Sequence, residues 1–163
     1  MMRLINECFF SPKELAQQLF ALSNKSFAAG SPWTKEQFEA EIRNKHCGYL
    51  ILEDEEIVAY LCYHQFLDEM EVFNLAISPD EQGKGYGHLL LHHLNQIALA
   101  EQVEQIFLEV RVSNQAAQNL YLKNGFNKTG HRTGYYSKPV EDALVMVKKV
   151  RPEKDNERID IRY

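Results

Sequence analysis

Three glycines in five positions, Gly83, Gly85 and Gly87, are the densest chemical signal in the chain. They sit in D-E-Q-G-K-G-Y-G, Asp80 to Gly87, after an apolar run V-F-N-L-A-I, Val72 to Ile77, that Ser78-Pro79 ends. A segment so stripped of side chains lets backbone N–H groups close directly on a ligand, and a helix expected over His88 to Ala100 adds the positive end of its dipole. Phosphate or pyrophosphate is the natural guest; a surface turn with a glycine cap is the plain alternative. A Walker A loop needs G-K-[ST] after its glycines, and Gly87-His88 stands there instead, so a lysine-plus-hydroxyl arrangement for a nucleoside triphosphate and magnesium is missing. The spacing also departs from G-x-G-x-x-G, and the elements before it read as a hairpin, which fits a dinucleotide fold poorly. H-E-x-x-H is absent. His88 and His92, at i and i+4, have the spacing of a metal pair, but a polar helix face accounts for them and for His93 more simply, and no metal is expected.

A second candidate lies in the strand I-F-L-E-V-R-V, Ile106 to Val112. Period two puts Phe107, Glu109 and Arg111 on one face and Ile106, Leu108, Val110 and Val112 on the other. A carboxylate in the middle of an apolar strand needs a reason. Glu109 is either a general base or a partly exposed residue paired with Arg111, and the residues alone leave both open. Tyr121, in the short helix that follows, is either a chemical hydroxyl or a packed ring with a wet end.

The elements that must position these groups follow from local signals. Residues 3 to 10 read as a short first strand. Ser11-Pro12-Lys13-Glu14 has the form of a capping box with Phe10 and Leu15 as its staple, and Leu15, Leu19 and Leu22 line one face of a helix from 12 to about 27. After the small-residue loop Ala28 to Pro32, Thr34 caps a second helix, with Gln37 completing the box and Trp33 and Phe38 as staple. Strands at Tyr49 to Leu52, Ile57 to His64 and Glu71 to Ile77 follow, the first two joined by the acidic turn Glu53 to Glu56. Connections this short make an antiparallel meander, and the continuous apolar runs predict helices over both faces of the sheet. The central helix buries Leu89, Leu90, Leu94, Ile97 and Ala98. The strand at 106 to 112, reached through that helix, lies parallel to the strand at 71 to 77. Ser113 or Asn114 caps a helix with Ala117, Leu120 and Tyr121 on its core side and Gly125 at its end. Phe126 starts an extended segment, Arg132 to Val140 reads as a polar loop, and Ala143 to Val150 closes the sheet. One α/β (or α+β) domain over residues 1 to 150, with a mixed sheet and a polar tail over 151 to 163, accounts for the pattern.

The composition of the 163 residues, 45% hydrophobic and 25% charged, is that of an ordinary globular domain with room for a core. A formal net charge of -5 argues against direct nucleic-acid or anionic-membrane binding, and suits a basic protein partner. Cys8, Cys47 and Cys62 form no C-x-x-C pair, no targeting segment or membrane-length apolar run is visible, and a cytoplasmic protein with reduced thiols is expected. A monomer is the simplest expectation.

Gln82 to Gly87, Q-G-K-G-Y-G between a strand and a helix, matches the Q/R-x-x-G-x-G/A signature and resembles the GCN5-related N-acetyltransferases (GNAT). The resemblance extends over about residues 3 to 150 and is most specific to the ribosomal-protein-alanine N-acetyltransferases, the RimI group. Trp33-Thr34 with Phe38 is similar to that group's P-W-S-x-x-x-F segment. V-F-N-L-A-I-S-P from Val72, L-E-V-R-V-S-N from Leu108 and A-Q-N-L-Y-L-K-N-G-F from Ala117 fit closely, as do Tyr135-Tyr136 and Glu141-Asp142 before A-L-V-M. One departure stands out: the group usually has R-x-N or R-N before the tyrosine pair, and here Arg132-Thr133-Gly134 intervenes.

The resemblance implies the acyl-CoA N-acyltransferase fold and transfer of the acetyl group of acetyl-CoA, as cosubstrate, to the N-terminal alanine of ribosomal protein bS18. It implies a cofactor site at Leu75, Ala76 and Ile77, at Gln82, Gly83, Lys84, Gly85, Tyr86, Gly87 and His88, and at Asn114 and Tyr121. It makes Glu109 the general base and Tyr121 the general acid, and puts Trp33, Glu109, Tyr135 and Tyr136 on the acceptor, with Phe27 on the wall near Trp33. A lysine or small-molecule amine acetyltransferase, or a non-catalytic acetyl-CoA-binding module, is the alternative.

Overall fold

The computed structural model describes residues 1–150; the expected polar tail at 151–163 lies outside the described residues. The order is β1 (Arg3–Ile5), a 3-10 turn (Glu7–Phe9), α1 (Pro12–Ser26), α2 (Lys35–Ile42), β2 (Cys47–Asp54), β3 (Glu56–Phe66), β4 (Glu69–Ile77), α3 (Tyr86–Ala100), β5 (Gln105–Arg111), α4 (Gln115–Lys123), β6 (Asn127–Ser137) and β7 (Val140–Lys149). The strands form one seven-stranded sheet in the order β1-β2-β3-β4-β5-β7-β6. All neighbours run antiparallel except β4 and β5, joined through α3. No helix among the described residues is long and apolar enough to cross a membrane.

The two capped starts form for the reasons their residues suggest. Ser11 Oγ accepts from the Glu14 amide and donates to the Glu14 carboxylate, so this box closes through the hydroxyl. Thr34 and Gln37 form the full reciprocal box at α2, and the Trp33 and Phe38 rings meet edge-on at 5.1 Å as the staple. A core on each face of the sheet follows. Leu15, Leu19, Leu22 and Phe38 of α1 and α2 pack on Tyr49, Ile51, Tyr60 and Cys62. Leu90, Leu91, Leu94 and Ala98 of α3, with Tyr121 of α4, pack on Leu61, Met70, Leu108 and Val110 of the other face. Each such side chain contributes about 1.5–3 kcal/mol by leaving water.

Three expectations are corrected, and one open choice, the cap of α4, is settled. The first strand is three residues long, because Asn6 caps the 3-10 turn that follows and ends it. In α3 the helix begins two residues earlier than expected, at Tyr86, and Leu91 rather than Leu89 joins the buried stripe; Leu89 is 36% exposed. Asn114, not Ser113, caps α4, accepting from the Ala117 amide. The stretch 132 to 140 is no loop: β6 runs on through Ser137 and pairs with β7 from Val140, with register shifts that absorb its glycines and tyrosines.

The sheet is opened at its centre. Cys62 pairs with Asn74, yet the next residue, Tyr63, pairs with Val72, leaving Phe73 as an extra residue in β4. This β-bulge turns the strand over: Met70 and Val72 face α3, whereas Ala76 faces α1 and α2. The parallel ladder with β5 covers Glu69 to Val72 and ends there, at Leu108. Beyond it, β4 from Phe73 and β5 from Glu109 run on without pairing to each other.

Candidate active site

The glycine loop follows β4 on the side of this gap. Ser78 and the turn at Pro79–Glu81 reverse the chain, and Gln82 fixes the loop by donating from Nε2 to the Ile77 carbonyl at 3.2 Å. Gly85, at φ 86°, is the N-cap of α3 and supplies no side chain to the helix end, so the first amides of α3 lack a protein cap. A methyl group added at Gly83 or Gly85 would meet no atom within 4 Å, so the concavity in front of those amides is open. At Gly87 the reason for glycine differs: a Cβ would stand 2.8 Å from Leu120, so the close approach of α3 and α4 requires its absence. An uncapped helix N-terminus behind a cradle without side chains is an anion site that fits a pyrophosphate. Lys84 is exposed and held by Glu81 at 3.0 Å, a contact that raises its pKa. Tyr86 packs into the α3 core, and the exposed His88 joins Asn124 at the end of α4.

Next to the loop, Leu75, Ala76 and Ile77 bond to β3 along one edge and turn the other toward the gap. Leu75 and Ile77 pack on the α3 side, and Ala76 is buried on the α1 side. That edge leaves its backbone groups open to an extended ligand, in the way that a strand edge binds. Asn74, one step past the bulge, is buried with neither amide atom bonded among the described residues, a polar pair left for a ligand or water. Asn114 is exposed at the start of α4 and is spent on capping it.

Glu109 lies at the end of the gap, its side chain 10% exposed, on the face opposite Leu108 and Val110. It does not pair with Arg111. That arginine meets Glu141 at 3.3 Å, donates to the Lys138 and Pro139 carbonyls, and lies over the Tyr136 ring at 4.1 Å. Glu109 instead has Arg132 at 3.3 Å and hydrogen-bonds to Glu71. Burial pushes the Glu71 carboxyl up to about 7, the charge and hydrogen bond of Glu109 push the same way, and Arg132 opposes them. The Glu71 carboxyl therefore keeps its proton up to near-neutral pH, where the hydrogen bond to Glu109 lets the two carboxyls share it. The sequence reading missed Glu71, Arg132 and Asn74. Glu71 alternates with the apolar Met70 and Val72 in E-M-E-V-F-N, which is the signal that could have marked it.

Tyr121 is buried on the other face of the sheet, against Phe126 at 5.6 Å and in the same cluster as Leu108 and Val110. Burial pushes its hydroxyl well above the ordinary range, with a smaller push from Tyr136. It is thus a neutral donor throughout the physiological range. Glu109 and Tyr121 stand on opposite faces of the sheet. Tyr135 and Tyr136 meet edge-on at 5.1 Å, with Arg132 5.5 Å from the Tyr135 ring, on the strand beyond Glu109. Trp33 stands apart from them, 6.4 Å from the bulged Phe73, with Phe27 in the same cluster. The structure thus brings Glu109 together with the tyrosine pair and puts Trp33 on the far wall. A cavity of about 460 Å³ beside the α1–α2 loop includes Phe20, Asn24 and Trp33 but neither the glycine loop nor Glu109.

Comparison with known proteins gives this geometry a relationship. The acetyltransferase (GNAT) family matches residues 5–126. The chain is 35% identical over 117 residues to the [ribosomal protein bS18]-alanine N-acetyltransferase of Salmonella typhimurium, covering 71% of this chain and 79% of that protein. It is 36% identical over 118 residues to the protein of the same name from Haemophilus influenzae, covering 71% and 80%. The crystal structure of the ribosomal-protein-S18-alanine N-acetyltransferase from Escherichia coli superposes with a TM-score of 0.82 at 28% identity, over 96% of this chain and 98% of that one.

Proposed function

The chain belongs to the GNAT acetyltransferase family, and from that premise we propose that it transfers the acetyl group of acetyl-CoA to the α-amine of the N-terminal alanine of ribosomal protein bS18. The opened sheet supports this reading: a carboxyl pair lies on one face and a neutral tyrosine on the other, and the β4–β5 ladder ends short of the glycine loop and the uncapped start of α3. The names of the relatives give the acceptor.

Acetyl-CoA supplies an electrophilic thioester carbonyl and a thiolate leaving group. The amides before and at the start of α3 hold the pyrophosphate, and the free edge of Leu75 to Ile77 aligns the pantetheine arm. Asn114, whose Oδ1 caps α4, would approach that arm with its remaining polar groups. The Glu71–Glu109 pair takes one proton from the attacking amine; with an α-amine pKa of about 8, this removal is mild work near neutrality. Nitrogen forms its bond to the carbonyl carbon as the carbon–sulfur bond breaks, the Tyr121 hydroxyl gives its proton to the departing sulfur, and the second proton shed by the new amide nitrogen passes through solvent to restore the tyrosine hydroxyl. Trp33 on one wall and Tyr135 and Tyr136 on the other bracket the first residues of the acceptor, and a small first side chain clears both.

The test compares peptides beginning Ala-Arg, Ser-Arg, Leu-Arg and acetyl-Ala-Arg, each with and without an internal lysine, with the modified atom located by mass spectrometry. Acetyl on the free N-terminus, with alanine and serine ahead of leucine, is expected. Acetyl on lysine alone, including in the blocked peptide, overturns the acceptor, and binding of acetyl-CoA without turnover of any amine overturns the enzyme.

A further inference from the structure

We infer that Glu41 of α2, Cys47 of β2 and His64 of β3 form a binding site for Zn²⁺ or a chemically similar divalent first-row cation. Their donor atoms, one carboxylate oxygen, one sulfur and one imidazole nitrogen, all lie within 4.8 Å of one another, on three different elements. Thiolate, imidazole and carboxylate are the ligand types zinc takes, and three protein donors with a water in the fourth position is a familiar tetrahedral arrangement.

The scaffold presets the site. Cys47 and His64 are direct partners in the antiparallel β2–β3 ladder, so their side chains leave the same face side by side. Glu41 reaches down from α2 and already contacts His64 Nε2 at 2.5 Å. Bond lengths of about 2.0–2.3 Å to a tetrahedral zinc put ligand atoms roughly 3.3–3.8 Å apart, so side-chain rotation alone closes the set. A histidine–carboxylate contact explains two of the three residues without a metal. It has no use for the third, nor for the arrangement behind it: Cys62, buried, puts its sulfur 3.2 Å from that of Cys47, in reach to donate its S–H to a metal-bound thiolate. Such an outer partner orients and tunes a ligand. Charge also balances, since Zn²⁺ with one thiolate, one carboxylate and a neutral imidazole has no net charge, which suits partly buried groups. The His64 ring is fixed from its other side by Phe73, 3.9 Å away. Occupancy would therefore tie α2, and the Trp33 wall stapled to it, to the bulge that opens the sheet.

The site is separate from the acetyl-transfer groups, and its test does not depend on turnover. The full chain, reduced and stripped with a chelator, would be titrated with Zn²⁺ by calorimetry and with Co²⁺ by absorption spectroscopy. Expected are one equivalent bound with micromolar or tighter affinity and a near-ultraviolet sulfur-to-cobalt band. Cys47→Ser should abolish the band, and His64→Ala and Glu41→Gln should each weaken binding at least about tenfold, the scale at which one lost ligand or its support is felt. His92→Ala, on the exposed polar face of α3, should change nothing. Absence of stoichiometric binding by the wild-type chain overturns the inference whatever the variants do. A band that survives Cys47→Ser, or binding lost in His92→Ala, overturns it as well.

Discussion

Replacing Glu71 by glutamine tests the carboxyl pair most directly. In the wild-type chain three influences push the Glu71 carboxyl up to about 7: burial, the charge of Glu109, and a hydrogen bond to it. Glutamine keeps the volume and a hydrogen-bonding amide but removes the like charge and the shared proton. Glu109 then faces Arg132 at 3.3 Å with nothing of its own sign beside it. At pH 6, one unit below a pKa of about 7, roughly one tenth of the wild-type Glu71 carboxyl is ionised and able to accept a proton, whereas the variant has no carboxyl at that position to titrate in this range. The ratio of kcat/KM at pH 6 to that at pH 8 should therefore be about tenfold higher in Glu71→Gln than in the wild type. Protonation of the acceptor amine reduces both enzymes equally and divides out. The absolute rate at the plateau should fall, because one of the two carboxyls that can accept the proton is gone. Initial rates of thiol release with an Ala-Arg peptide, from pH 5.5 to 8.5, give the profile. Superimposable acid limbs for the two enzymes would refute the shared-proton argument. Stability carries the same sign. The folded chain binds more protons at Glu71 than the unfolded chain between the ordinary carboxylate pKa and about 7, so this group's contribution falls as pH rises through that window. Glu71→Gln should accordingly gain stability on the wild type at pH 8 compared with pH 5, a comparison thermal melts can make.

Three further outcomes are expected. Gly85→Val, at φ 86° and in front of the uncapped α3, should lower acetyl-CoA affinity by calorimetry at least about tenfold, roughly 1.4 kcal/mol; unchanged affinity in a folded variant refutes the cradle. Tyr121→Phe should lower turnover by about 10²- to 10⁴-fold while acetyl-CoA still binds and the melting temperature holds, and near-normal turnover with chemistry rate-limiting would remove its acid role. Thr34→Ala takes away the acceptor of the Gln37 amide at 3.1 Å and should cost about 1 kcal/mol in urea unfolding with an unchanged m-value; no loss would mean that the capping box contributes nothing.

Much of this fold is readable from local signals, because the chain states them redundantly. The capped helix starts, the acidic hairpin turn and the strand–glycine–helix unit each depend on residues within four or five positions of one another. The bulge at Phe73 is different. Burial alternates without interruption along β4, with Met70, Val72, Asn74 and Ala76 all buried, so parity alone assigns them one face. The strand in fact turns over between Val72 and Asn74, and the same alternation serves two different cores. Only the partner strands reveal that. The Glu109–Glu71 contact hides for a related reason: it joins strands whose separation in sequence says nothing of register, and the partner chosen by proximity along the chain, Arg111, is taken by Glu141 and Tyr136. The loop expected at 132 to 140 failed because glycine, proline and paired tyrosines are turn signals and also the materials of an irregular edge strand.

That irregular strand bears on the one departure from the family pattern. Adjacent residues of a regular strand point to opposite faces, yet the rings of Tyr135 and Tyr136 touch. Gly134 makes this possible. It adopts φ 62°, a conformation costly for most side chains, and its amide donates to the Asp142 carboxylate at 2.7 Å. The register of β6 slips between Arg132 and Tyr136 around that anchor. Each tyrosine then takes its own arginine, Arg132 beside Tyr135 and Arg111 over Tyr136, and Arg132 reaches Glu109. The backbone at Gly134 thus joins the aromatic pair to the carboxyl pair through a single guanidinium. If the acceptor meets Tyr135 as proposed, a change in how it settles there would have a direct electrostatic route to the proton that Glu71 and Glu109 share, since Arg132 pulls the Glu71 carboxyl down. Acceptor preference and the pH profile are therefore expected to move together when Gly134 is replaced.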